Sequence, residues 1–210
     1  DLYPGLHPVN QPVEKKHAEK FGAIYVQGPK GRTKPINTMA HELLRKIARK
    51  ESLFGLDANQ VFLGMTIAPS EWQKVPVIKV THPRIKNLIG LNGKFASFDD
   101  FVKSSGNNRY ILSSYVNKAY MKNPSQRTKF DKEVLKIDER VNICYIVFAK
   151  RFLKIFPSRE DETLSWYLPD NDEEIITHED TFSLEKIAGE YFKAVNESRE
   201  SGKWEKADKL

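Results

Sequence analysis

A chain of 210 residues is long enough to bury the core of one domain or of two small ones. Hydrophobic content of 40% and charged content of 30% describe an ordinary soluble protein. The net charge of +6 comes from 34 basic and 28 acidic residues that interleave along the chain, which reads as a solvated mixed surface and argues against nucleic acid as a partner.

No apolar run nears the ~18 residues that mark a membrane helix. The longest, Val141 to Ala149, is interrupted by Asn142. The single Cys144 excludes an internal disulfide. Both ends read as cuts through a longer protein, since the chain opens at Asp1 and closes at Leu210 within a charged segment.

In chain order, residues 1–16 carry Pro4, Pro8 and Pro12 and read as an extended arm or linker. Phe21 to Gln27 reads as a strand ended by the turn Gly28-Pro29-Lys30-Gly31. Pro35 keeps residue 34 extended, and Asn37 or Thr38 then caps a helix to about Lys50. Its apolar positions Met39, Leu43, Leu44 and Ile47 share one face. Asp57-x-x-Gln60 spells a capping box before Val61, Phe62, Leu63 and Met65, and Ser70-x-x-Gln73 repeats the signal around Trp72. Val75 to Val80 reads as a strand, which Pro76 confines to an edge or a strand start because it lacks an amide donor. A short helix is expected from Pro83 to Ile89. Another is capped by Ser97-x-x-Asp100 and ends near Gly106, and a third runs over Arg109 to Lys122.

The strongest helix runs from about Lys129 to Ala149. Phe130, Val134, Ile137, Val141, Cys144, Tyr145 and Phe148 form a continuous apolar stripe on it, beside a basic row of Lys132, Lys136 and Arg140. Phe152 to Phe156 reads as a strand, and 158–180 as an acidic loop. Phe182 to Glu200 reads as a helix whose Leu184, Ile187, Ala188, Tyr191, Phe192 and Val195 face inward. The sum is a mainly α (α+β) fold, helical with a few short strands or a small antiparallel sheet. Residues 17–200 form a single domain, and 201–210 begin a truncated helix.

Tests for chemistry remove more than they add. His41-Glu42-Leu43-Leu44-Arg45 nearly spells a zinc-protease helix, but that motif needs a second His where Arg45 stands. His7, His17, His82 and His178 show no metal-ligand spacing with Cys or carboxylates. Cys144 lies on the buried stripe, where a thiol is inert. Gly28-Pro29-Lys30-Gly31 lacks the Lys-Ser/Thr of a phosphate loop, and no serine-hydrolase elbow occurs. No catalytic residue and no metal ligand is assigned. Gly31-Arg32-Thr33-Lys34-Pro35 reads as an exposed turn, or as a contact for an anion such as a carboxylate.

Five blocks, in order and at matching separations, carry a resemblance. They are His17-Ala18-Glu19-Lys20-Phe21-Gly22 with Val26-Gln27 and Gly31 to Pro35; Asn37-Thr38 with Leu43 to Ile47; Val61-Phe62-Leu63-Gly64-Met65 with Trp72-Gln73; Phe130 to Glu133 with Lys136 to Ile143; and Phe152 to Pro157 with Trp166 beyond. Together they resemble the extracytoplasmic region of the ResB/CcsA-type (system II) cytochrome c biogenesis proteins, in the fused form of Bacteroidetes-like bacteria.

The resemblance implies a periplasmic domain of a bacterial inner-membrane protein, a haem lyase that carries haem outward and attaches it to apocytochrome c. Partners would be the membrane domains of the same protein and apocytochrome c. The family's haem centre is a Trp-rich motif with histidines near membrane-helix ends. Trp72, Trp166 and Trp204 are isolated here, so the segment itself is expected to hold no cofactor and to be non-catalytic alone. Arg32, Lys34 and His17 are the candidate cofactor-contacting residues. The alternative is a generic periplasmic ligand- or protein-interaction domain, which a large apolar pocket lined away from these blocks would favour.

Overall fold

A computed structural model describes residue 9 and residues 11–28, 31–103, 109–157, 166–167 and 178–209. Helix α1 (Lys15–Gly22) leads into a hairpin of β1 (Tyr25–Gln27) and β2 (Thr33–Pro35), then α2 (Ile36–Ala48). The ribbon β3 (Ser52–Leu53) and β4 (Leu56–Asp57) opens α3 (Ala58–Ile67), and α4 (Pro69–Trp72) follows. Then come β5 (Ile78–Lys79), α5 (Pro83–Ile89), β6 (Phe95–Ala96), β7 (Val102–Lys103), β8 (Arg109–Tyr110) and α6 (Ser113–Tyr120). The chain continues through α7 (Lys129–Phe148), β9 (Phe156–Pro157), β10 (Trp166–Tyr167) and α8 (His178–Ser201), with a last 3-10 turn at Ala207–Lys209. Among the described residues the strands pair two by two, all antiparallel, so the fold is mainly α with small ribbons. No helix among the described residues is long and apolar enough to cross a membrane.

The centre is α3, and all ten of its residues are buried. A helix apolar on every side must be surrounded, and α1, α2, α4, α7 and α8 all pack on it. Asp57 and Gln60 cap it reciprocally, at 2.9 Å and 3.2 Å. The Gln60 amide also donates to the Val13 carbonyl at 2.7 Å, so the capping residue fastens the segment before α1 to the core. Two glycines set the closest approaches. A Cβ on Gly22 would stand 2.8 Å from the Asn59 side chain, and one on Gly64 would stand 2.7 Å from the Trp72 indole nitrogen.

Helix α7 begins with a second reciprocal cap. Thr128 donates its amide to Asp131 at 2.8 Å and accepts from the Asp131 amide at 3.2 Å. Lys122 donates to the same carboxylate at 2.8 Å. Lys122 first, and then the Thr128 hydroxyl and amide, hold the Asp131 carboxyl down at a pKa of about 2. On the α7 stripe Val134, Ile137, Val141, Cys144 and Phe148 are buried, but Tyr145 is exposed. It follows Cys144 directly and so lies about 100° round the helix from it. The expected basic row is broken too, for Arg140 is buried and donates to the Lys79 carbonyl.

Several local readings need correction. Phe21 and Gly22 belong to α1 rather than to a strand, because the buried positions His17, Ala18, Phe21 and Gly22 recur at helical spacing. The arm of residues 1–16 is not simply extended, since Lys15 and Lys16 are helical and Val9 and Val13 are buried. Helix α2 starts at Ile36 with Pro35 before it and no side-chain cap, which places Asn37 and Thr38 inside the first turn. Helix α4 starts at Pro69 and does not use Ser70 as a cap. Only Ile78 and Lys79 of the expected strand pair.

Ser97 and Asp100 do exchange hydrogen bonds, at 2.7 Å and 3.2 Å, yet the chain turns into β7 instead of a helix. Arg109 and Tyr110 form β8, so the helix that follows is shorter than expected. In the segment after α7 only Phe156 and Pro157 pair as a strand. The truncated helix expected over 201–210 is replaced by a reversal. Gly202, at φ +71°, ends α8 and the 3-10 turn folds back. Most of the acidic loop at 158–180, with Pro29, Lys30 and the Gly106 helix end, lies outside the described residues.

Candidate functional site

That reversal builds a pocket. Helix α1 contributes His17, Lys20 and Phe21; α8 contributes Ile187, Ala188, Tyr191 and Phe192. The final turn adds Ala207 and Asp208, while Ile24, Leu153 and Ile155 complete an apolar lining around about 280 Å³. Ile24 and Ile187 are the exposed large apolar members of this lining, at 40% and 52% exposure, so the pocket opens to solvent beside them.

Its polar end is a chain of contacts centred on buried His17. Nδ1 lies 2.9 Å from Asp208 Oδ1, and Nε2 lies 3.0 Å from the Tyr191 hydroxyl. A carboxylate only accepts, so Nδ1 donates to Asp208, while Nε2 lies within hydrogen-bonding distance of the Tyr191 hydroxyl. Lys20 reaches the second Asp208 oxygen at 2.9 Å. The Trp204 ring lies 5.0 Å from the imidazole, and Phe21 stacks on Tyr191 at 6.0 Å.

The surroundings shift two of these groups, Asp208 and Tyr191. His17 first, and then Lys20, lower the pKa of the Asp208 carboxyl. Burial first, and then the Asp208 charge, raise the Tyr191 hydroxyl, so it stays protonated. No Ser, Thr or Cys lines the pocket among the described residues, and a phenol held protonated is a poor nucleophile. The arrangement suits holding an apolar group beside a self-neutralised polar end.

Of the three residues expected to contact a cofactor, only His17 lines this pocket. Both of its ring nitrogens are engaged, so it does not fit an axial haem ligand unless one of those bonds breaks. Arg32 is exposed beside β2, and Lys34 pairs with Glu42 of α2. In the near-zinc motif, Arg45 donates to Glu51 at 2.6 Å and His41 lies 3.5 Å from the same carboxylate. Burial raises the Cys144 thiol pKa, and the side chain is fully enclosed. Among the described residues no group of three or more His, Cys, Asp or Glu could hold a metal ion.

Sequence reasoning missed Lys20, Tyr191, Trp204 and Asp208. Tyr191 was visible only as an inward helix position. Asp208 sat in a segment read as outgoing helix, and Gly202 was the available signal against that reading.

No family model matches the chain. It is similar to Protein NrfI of Wolinella succinogenes, with 34% identity over 205 residues that take in 93% of this chain and 22% of that protein. The chain therefore spans about a fifth of the length of the relative it matches. A match of that extent takes in His17 on α1 and Tyr191 on α8 wherever it begins.

Proposed function

We propose that the chain is a soluble periplasmic module of a larger, membrane-bound cytochrome c biogenesis protein of the fused ResB/CcsA kind. In this reading the parent protein carries haem outward and attaches it to apocytochrome c. The module holds no cofactor and performs no chemistry alone. It positions the membrane core, or presents apocytochrome c to the haem, with the α1–α8 pocket as the seat for an apolar side chain of that partner.

The observation that carries this reading is the extent of the match. Nearly the whole chain corresponds to a small part of a much longer relative, as expected of one domain within a larger protein. The pocket adds weight. Five of its twelve lining residues, His17, Lys20, Phe21, Leu153 and Ile155, come from the family-like blocks, and the other seven lie outside them.

The test is to titrate the chain separately with haem and with an apocytochrome segment bearing Cys-x-x-Cys-His. Saturable binding of the segment is expected, weakened at least several-fold by Ala188→Leu, which narrows the pocket. Tight haem binding with a Soret band that changes in a histidine variant would overturn the reading.

A further inference from the structure

Away from the pocket, α6 ends in the most exposed pair of large apolar side chains on the described surface. Met121 is 87% exposed and Tyr120 is 61% exposed. Segment 117–132 carries five basic residues and one acid. The acid, Asp131, is buried in the α7 cap and already bound by Lys122. Lys118, Lys129 and Lys132 are exposed and have no ion-pair partner among the described residues. Helical spacing puts Lys118 one turn before Met121, and Lys129 and Lys132 share a turn at the start of α7, which packs on α6.

The tip is held in shape. Arg127 donates to the Ala119 carbonyl at 3.0 Å, and its guanidinium lies 5.8 Å from the Tyr120 ring centre. A 3-10 turn at Pro124–Gln126 spans the connection, and Lys122 ties it to the α7 cap.

We propose that this tip docks on an anionic lipid surface. Met121 and Tyr120 enter the headgroup layer, and the surrounding cations meet lipid phosphates. An exposed apolar pair on the same segment as exposed lysines matches a soft, negatively charged interface. A folded protein partner would need a matching acidic hollow. Single-stranded nucleic acid would need free aromatic faces, and Arg127 already lies against the Tyr120 ring. The proposal is independent of the pocket and of the function assigned to it.

The test is co-sedimentation with vesicles of phosphatidylcholine alone and with phosphatidylglycerol added, at low and high salt. Binding should require phosphatidylglycerol and fall with salt. Each of Lys118→Ser, Lys129→Ser and Lys132→Ser should weaken it roughly 5-fold, the equivalent of about 1 kcal/mol per cation. Tyr120→Ser with Met121→Ser should weaken it at least as much. Because these side chains are exposed, the variants should keep the native circular dichroism. In a second readout, Met121→Trp should show an emission blue shift on anionic vesicles. Equal binding to both vesicle types, no loss in the Tyr120/Met121 double variant, no blue shift, or displacement by an oligonucleotide would each overturn the proposal.

Discussion

Gly64 shows how much one side chain decides here. It stands on the all-buried α3, where a Cβ would lie within 3 Å of three atoms of the Trp72 ring. Trp72 is 1% exposed and has no room to withdraw. Alanine favours a helix over glycine by up to about 1 kcal/mol, while overpacking a core costs about 1–3 kcal/mol. Gly64→Ala should therefore destabilise the protein by about 1–2 kcal/mol in urea unfolding. Gly189→Ala on exposed α8, where nothing lies within 4 Å, should be neutral or stabilising. Equal effects at the two sites would refute steric exclusion by Trp72. Gly64 and Trp72 fall in one family-like block, yet the sequence showed only their proximity along the chain. That they touch follows from the turn between α3 and α4.

At the scale of elements, α8 is joined to the domain at both ends of its described inner face. Near its C-terminus, Arg199 reaches the Gln11 carbonyl at 2.9 Å and Glu71 at 3.0 Å. About two turns earlier, Tyr191 meets His17 of α1. His17→Phe keeps a ring against Trp204 but removes both hydrogen bonds and leaves the Tyr191 hydroxyl buried without its partner. Stability should fall by about 1–3 kcal/mol in urea, and amide exchange should quicken in α8 but not in α3. Unchanged α8 exchange would show that this contact does not hold the helix. The α7 boundaries were legible because its stripe keeps helical spacing over five turns and nothing competes with it. The Ser97 cap misled because the same reciprocal bonds serve a turn. A cap satisfies local amides and does not supply the apolar stripe that a lasting helix buries.

Across the whole molecule, Cys144 reports on the core. It lies at 0% exposure on α7, which packs on α2 and α3, and burial keeps its thiol protonated. A thiol reagent should label it at the rate of global unfolding followed by tryptophan fluorescence; faster labelling would mean that α7 opens by itself. The sequence alone determined the helical class, the long α7, the Asp57 cap, the exclusion of a zinc helix and the resemblance to cytochrome c biogenesis proteins. The helix, cap and zinc readings rest on spacing or residue type within a short window, and the resemblance rests on the order of five such blocks. Tertiary structure alone decided the pocket. His17 and Asp208 are 191 positions apart, and no local pattern records that a glycine after α8 turns the chain back on α1. It also decided that His17 is held by two partners while Arg32 and Lys34 lie elsewhere. Which surfaces meet depends on how the amphipathic helices share one core, and their order along the chain does not encode that.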